Sequence, residues 1–148
     1  MSNTTAASSI HRAVWDWLGG CVSITKLFFN FGTQATGSTI IIPSDSQTET
    51  YIDGTEMREY AVELIRFLPL TFDVNSTANI DMLEDVDAIA KWIEEQEAGG
   101  NYPLFPIGMT VQGIELTNSY SGYTLGSDGL YAKYTIPFKI IYEKGVIQ

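Results

Sequence analysis

Residues able to do chemistry are few and scattered in this chain. His11 is the only histidine and Cys21 the only cysteine among 148 residues. A histidine without further histidines or cysteines does not make a zinc ligand set. A lone cysteine forms no disulfide within the chain and is typical of a small buried apolar side chain. We therefore expect no metal site, no cofactor and no cysteine nucleophile.

Acidic side chains are the only chemically active groups that cluster. Asp81, Glu84, Asp85 and Asp87 lie close together in the sequence, but their spacing is that of a helix and not that of a calcium-binding loop. The sequence has no GxSxG, GxGxxG, P-loop, HExxH or CxxC motif. A single histidine and no activated nucleophile favour a protein that is not an enzyme.

The charge is concentrated in one segment. The formal net charge is −10, and residues 51–98 hold twelve Asp and Glu against three Lys and Arg. Such a surface repels a phosphate backbone, so tight nucleic-acid binding is not expected. Glu94, Glu95 and Glu97 lie at the C-terminal end of a predicted helix, where the helix dipole disfavours acids. This arrangement suggests that a partner or a neighbouring subunit supplies positive charge.

Length and hydropathy set further limits. A chain of 148 residues is typical of a single domain, and the small polar residues 1–8 predict a frayed end. No apolar run approaches the roughly 18 residues of a membrane span. The first residues lack the basic and apolar regions of a signal peptide, so none is expected.

Two helices are predicted. Residues 79–103, NIDMLEDVDAIAKWIEEQEAGGNYP, predict a long amphipathic helix that ends at Gly99-Gly100. Its apolar residues recur at the helical period: Met82, Val86, Ile89 and Ile93, with Leu83 and Ala90 on the flank. Residues 9–18 predict a short helix that ends at Gly19-Gly20. Trp15 lies off its apolar stripe. Partial burial is the expected case for it, whereas an exposed indole there would mark an interface.

The first half of the chain predicts three strands. Residues 22–31 and 38–43 are rich in β-branched and aromatic types, and Pro43 marks the end or the edge of the second strand. Residues 44–50 are polar and predict a loop, followed by a turn at Asp53-Gly54. Residues 56–68 carry apolar side chains in both alternating phases, which predicts a central strand covered on both sides.

The second half predicts two more strands. In residues 109–118 the apolar alternation changes phase at Gly113, which predicts a β-bulge. Residues 132–142 alternate strictly, and Pro137 predicts an edge or a bulge in that strand. The loops at 32–50 and 119–130 are predicted to be mobile and functional. We predict an α+β fold in which one long helix packs on a mostly antiparallel sheet of four to five strands.

Several segments, in order, resemble the tail terminator proteins of phages of Gram-positive bacteria, a family also described as minor capsid or tail completion proteins. YIDGT at 51–55 is similar to a segment that precedes the central strand in that family, with Thr50 in place of its Lys or Arg. The similarity continues through NID at 79–81, WIEEQ at 92–96, GNYP at 100–103, IELTNSY at 114–120 and AKYTI at 132–136. It covers roughly two thirds of the chain.

The resemblance implies a structural virion protein that is not an enzyme. Its subunits form a hexameric ring that caps the head-proximal end of the tail tube, ends tube polymerisation and joins the head. The implied partners are other copies of the chain, the tail tube protein and a head-completion or connector protein. DNA would pass through the lumen without specific binding. Candidate interface residues are Trp15, Glu94, Glu95, Glu97, Lys133, Lys139 and Lys144, with the acidic helix of one subunit meeting the lysines of the next.

Two alternatives remain open on the sequence. One is a head-side connector or joining protein, which differs from a terminator in the position of its gene. The other is a small-molecule-binding or enzymatic α+β domain with an aromatic pocket formed by Tyr120, Tyr123, Tyr131 and Tyr134. A bound ligand or a thermal shift with metabolites would favour the second alternative.

Overall fold

Two helices and one sheet make up the described part of the chain. The structure is a computed structural model that describes residues 8–21, 24, 26–29, 38–69, 78–116, 124–125 and 131–145. In chain order the elements are α1 (Ile10–Leu18), β1 (Lys26–Phe29), β2 (Ser38–Thr50), β3 (Glu56–Pro69), α2 (Ala78–Gly99), β4 (Met109–Leu116), β5 (Thr124–Leu125) and β6 (Tyr131–Lys144).

The sheet is antiparallel through its centre. β2, β3, β6 and β4 lie side by side in that order, each antiparallel to its neighbour. β1 pairs with β2 in parallel at one edge, and the two-residue β5 pairs with β6. β3 and β6 pair along their whole length, from Glu56↔Lys144 to Pro69↔Tyr131. The predicted α+β class with a mostly antiparallel sheet is therefore confirmed.

One face of the sheet carries the core. Because side chains alternate along a strand, every second residue of β3 and β6 points to this face, and these residues are buried: Tyr60, Val62, Leu64, Ile136, Phe138, Ile140 and Tyr142. Val86, Ile89 and Ile93 of α2 pack in the same cluster. Cys21 is also buried there, as predicted.

Both helices end where the sequence predicts. Ser9 caps α1, since its hydroxyl accepts a 3.1 Å bond from the backbone N–H of Arg12. α2 ends in a Schellman motif: Asn101 N donates to Gln96 O at 2.9 Å and Gly100 N donates to Glu97 O at 3.2 Å. Gly100 has φ +68°, a conformation that favours glycine.

α1 packs against the end of α2 through tryptophan. The ring of Trp17 lies 4.9 Å from that of Trp92 and 5.9 Å from that of Phe138. The indole N–H of Trp17 donates to Asn101 O at 2.8 Å, in the turn that follows α2. These contacts satisfy a carbonyl just beyond the helix and position α1 over the sheet.

The predicted bulge in β4 is confirmed. The pairing with β6 shifts between Val111 and Gly113, so Gln112 is the extra residue. The shift turns Ile114 into the core, where it is buried. The change of phase in the apolar pattern was therefore a correct signal.

The prediction of a loop at 44–50 is wrong. These residues continue β2 as a long hairpin with β3, and Pro43 lies inside the strand opposite Val62. The pairing of β1 with β2 ends at Ile41, so Pro43 lies where the outer side of β2 has no described partner strand and a missing donor is tolerated. The polar side chains reflect a hairpin that extends into solvent.

Burial on the outer face of the sheet also differs from the prediction. β3 is central, but Ala61 and Glu63 are exposed, so its two faces are not both covered along its length. Leu83, predicted on the buried flank of α2, is exposed. The outer face of β3 stays accessible at its middle because both helices pack on the other face. Leu83 lies outside the core cluster in which Val86, Ile89 and Ile93 of α2 are buried.

Pro137 does not lie on an edge strand, because β6 is flanked by β3 and β4. The β4 pairing nevertheless ends at Phe138, and the β5 pairing begins at Lys133. On this side of β6, Pro137 therefore lies between the stretch that pairs with β4 and the stretch that pairs with β5, opposite no described strand. Its missing N–H is tolerated there because no described carbonyl needs it. The loops predicted at 32–37 and over most of 119–130 lie outside the described residues.

An ion pair links the sheet to α2. The Arg66 side chain is buried on β3, where Nη2 lies 2.8 Å from Asp85 Oδ2 and Nη1 donates to Thr39 Oγ1 at 2.9 Å. Among the described residues, the Arg66 Nε has no hydrogen-bond partner, and the contact with Asp85 is an ion pair without good hydrogen-bond alignment. Losing Asp85 would leave a buried guanidinium with one hydroxyl as its partner.

We expect Asp85→Ala to lower the free energy of unfolding by about 2–3 kcal/mol, because it leaves the charge on Arg66 without a counter-ion. Urea unfolding followed by circular dichroism measures this change. Asp87→Ala, at an exposed position two residues away, is the matched control and should shift stability by less than about 0.5 kcal/mol. Equal effects of both variants would contradict the assignment.

Candidate interaction surface

The predicted interface residues lie on both helices and on β6, and the structure does not bring them into one patch. Trp15 is on the outer side of α1 and is 36% exposed. It lines a shallow cavity of about 310 Å³ together with His11, Arg12 and Phe29. An exposed indole beside a cation remains a candidate contact.

The three glutamates at the end of α2 have different surroundings. Glu94 and Glu95 are exposed. Glu97 reaches across to β4, where its Oε2 accepts a 2.7 Å bond from the backbone N–H of Ile114, directly after the bulge. Its hydrogen bond to the Tyr102 hydroxyl raises the pKa of that tyrosine.

Glu97 therefore has a partner within its own chain. The carboxylate satisfies a backbone donor on the outer strand of the sheet, a position that otherwise invites pairing with another chain. This donor is a neutral N–H, so the expectation that a partner supplies positive charge near Glu97 stays a prediction. Sequence reasoning missed the contact because Glu97 and Ile114 lie 17 positions apart.

The lysines of β6 are also distributed. Lys139 lies on the outer face between two carboxylates, 3.1 Å from Glu59 Oε1 and 3.5 Å from Glu115 Oε2. The bond to Glu59 raises the pKa of Lys139. Lys144 ends β6. The side chain of Lys133 lies outside the described residues. Lys139 thus already has acidic neighbours, which reduces what it offers to a second subunit.

Among the described residues, the most exposed apolar side chains lie on two turns, and the sequence analysis did not single out these side chains. Ile52 is fully exposed, at 107%, in the turn between β2 and β3, and Ile107 is 94% exposed in the turn before β4. Tyr51 and Leu104 beside them are exposed as well. We call these four residues the apolar end.

Strand register places both turns at the same end of the sheet. Lys144 of β6 pairs with Glu56 on one side, just after the first turn, and with Met109 on the other, just after the second. Gly145 N also donates to Gly108 O at 2.8 Å. Because β6 lies between the two turns, the apolar end is one surface with two projections.

Both turns are fixed by hydrogen bonds. Tyr51 N donates to Thr55 O at 2.8 Å, and Gly54 N donates to Tyr51 O at 2.9 Å with Gly54 at φ +91°. In the second turn Met109 N donates to Pro106 O at 3.1 Å. A turn built in this way holds its apolar side chain in water, where it contributes nothing to the core.

Acidic groups surround the first turn. Thr55 N donates to Asp53 Oδ1 at 2.9 Å and lowers the pKa of that carboxyl, so Asp53 is charged. The Tyr51 hydroxyl donates to Glu49 Oε2 at 3.4 Å. Partial desolvation raises the pKa of Tyr51, and the charges of Glu49 and Glu143 raise it further. Lys144 is the basic residue of this end.

A polar network ties the extended hairpin to the core behind it. The Tyr142 hydroxyl donates to Asp45 Oδ1 at 2.9 Å and accepts from Arg58 Nε at 3.1 Å. Burial, followed by this bond to Asp45, raises the pKa of Tyr142 to about 12. Next to it, a 2.7 Å hydrogen bond joins His11 Nδ1 to the Tyr60 hydroxyl. The network gives the polar stretch of β2 a defined position.

Two absences apply to the described residues. No group of three or more His, Cys, Asp or Glu side chains in the described part is placed to hold a metal ion. No described helix is both long and apolar enough to cross a membrane.

Of the tyrosines proposed for an aromatic pocket, the side chains of Tyr120, Tyr123 and Tyr131 lie outside the described residues, and Tyr134 is buried in the core.

We expect Glu97→Ala to lower the free energy of unfolding by about 1–3 kcal/mol, because the half-buried N–H of Ile114 loses its acceptor. Chemical denaturation measures the loss. Glu95→Ala, on the same helix and exposed, should change stability by less than about 0.5 kcal/mol. If Glu97→Ala changed the free energy of unfolding as little as Glu95→Ala, the Glu97 carboxylate would not be the acceptor that the N–H of Ile114 requires.

Comparison with known protein families and with curated protein sequences finds no match to this chain.

Proposed function

We propose that this chain is a structural virion protein of the tail terminator type. Copies of it form a hexameric ring at the head-proximal end of a phage tail tube, where the ring ends tube polymerisation and offers the surface that joins the head. Its partners are its own copies, the tail tube protein and a head-completion protein. It acts in the virion and is assembled in the host cytoplasm.

The apolar end is the observation that carries this proposal. Ile52 and Ile107 project fully exposed from two hydrogen-bonded turns, which is a feature of a protein that binds another protein. The first of these turns is YIDGT, the segment at which the sequence resemblance begins. GNYP, a second segment of that resemblance, leads from α2 into the other turn.

The architecture and the charge agree with this role. The resemblance implies an α+β subunit, and the chain has that fold. A net charge of −10 suits a ring through which DNA moves, because an acidic wall does not retain a phosphate backbone.

Deleting the gene from its phage should give overlong or unjoined tubes beside DNA-filled heads, visible by negative-stain electron microscopy, because nothing ends the tube. A plasmid copy of the gene should restore normal particles. Tails of normal length that remain unattached would instead place the chain on the head side as a connector. Normal infectious particles would contradict the proposal.

The acidic end of α2 should be needed when subunits meet. We expect the double variant Glu94→Lys and Glu95→Lys to reduce the plasmid rescue of infectious particles at least about tenfold, because reversing rim charges weakens association. The matched control is Glu84→Lys with Asp87→Lys, which makes the same change in net charge earlier on the same helix. Full rescue by the Glu94/Glu95 variant would contradict the placement of these two residues in the interface between subunits.

A further inference from the structure

We infer that the apolar end binds a different protein, whose contact surface is an apolar pocket rimmed by lysine or arginine, and not a second copy of this chain. The inference rests on the proposed function for the setting in which that partner is met. It names the chemistry of the partner and the four side chains that contact it: Tyr51, Ile52, Leu104 and Ile107.

The shape of the surface indicates insertion into a pocket. Two aliphatic side chains stand at the tips of two turns, and Lys144 of β6 pairs with the first residue after each turn region, Glu56 and Met109. A flat partner would touch the tips only. A concave apolar surface would bury both side chains at once, which is the usual form of an anchor residue at a protein interface.

A two-fold contact between two apolar ends is disfavoured by charge. Such a contact is isologous, so each residue near the axis meets its own copy. Glu49, Asp53 and Glu143 would then face a second set of the same three carboxylates, with one lysine from each copy, Lys144, to offset them. Like charges brought together at an interface are strongly unfavourable.

A head-to-tail contact with another copy lacks a basic acceptor surface in the described part of the chain. Arg58, Arg66 and Lys139 already lie beside carboxylates of their own chain. The other described basic side chains lie on three different elements, Arg12 on α1, Lys91 on α2 and Lys144 on β6. Single basic side chains do not match an acidic rim, so no described surface of the chain offers the apolar end a basic acceptor.

The same charges define the partner. Glu49 lies beside the Tyr51 hydroxyl, Asp53 accepts a bond within the same turn, and Glu143 lies near Tyr51. Three carboxylates against Lys144 give the rim a net negative charge. A partner that buries Ile52 must therefore bring lysine or arginine to the rim of its pocket. Complementary rim charges speed association and select the partner, while the buried aliphatic side chains hold it.

The test places a photo-crosslinking amino acid at single positions, in the cells that naturally produce the chain. It replaces Ile52 or Ile107 in two variants and Ile80 in a third. Ile80 is the matched control, because it is a 60% exposed isoleucine on the first turn of α2, away from both turns of the apolar end. Crosslinked products are identified by mass spectrometry.

Crosslinks from positions 52 and 107 to one different protein, at sites flanked by lysine or arginine and absent from position 80, would support the inference. Crosslinks from these positions to another copy of this chain would overturn it. So would crosslinks from position 80 alone. A crosslinked partner that is not a virion protein would leave the inference standing and would count against the proposed function.

A second measurement tests the rim. The double variant Glu49→Lys and Glu143→Lys, in the chain with the crosslinker at position 52, should lower the yield of the crosslink roughly tenfold. The control Glu84→Lys with Asp87→Lys changes the net charge equally and should leave the yield unchanged. An undiminished crosslink yield in the Glu49/Glu143 variant would overturn the inference that the partner's pocket has a basic rim.

Discussion

The structure depends on the antiparallel pairing of β3 with β6. The two strands pair over fourteen residues without a register shift, and both point alternate side chains into the same core. Because this pairing is fixed from Glu56 to Pro69, it determines which face of the sheet is apolar and is covered by the helices. It also determines where the neighbouring strands β2 and β4 can pair. Together with the pairing of β4 with β6, it brings the turn after β2 and the turn before β4 to one end of the sheet, so the apolar end is a consequence of these two registers.

Local patterns were sufficient for the elements whose signals lie within a few residues. The alternation in β6, the change of phase at Gly113 and the glycines after α2 each reflect a rule of backbone geometry, and each feature is found where it was predicted. Residues 44–50 could not be predicted in this way. Their strand is specified by pairing with β3 and by the bonds of Asp45 to Tyr142, a residue 97 positions away.

The candidate interaction surface was harder to predict from the sequence than the fold was. Glu97 stood out because it lies at the unfavourable end of a helix dipole, but its partner is the N–H of Ile114 on another element. The turn at Asp53-Gly54 was recognised, yet the exposure of Ile52 depends on how far the hairpin extends beyond the core. A clear signal was nevertheless present. An isoleucine inside a polar turn, and another between Pro106 and Gly108, have little backbone length with which to reach the core.

On the proposed function, the two surfaces are candidates for two separate contacts. The acidic end of α2 is the candidate for contact between copies, and the apolar end is the candidate for a different protein. The most direct measurement is single-particle electron cryomicroscopy of the head–tail junction in intact particles. The account predicts six copies of this chain around the axis, with Ile52 and Ile107 buried against another protein. A junction without the chain, or a ring in which both isoleucines face solvent, would contradict it.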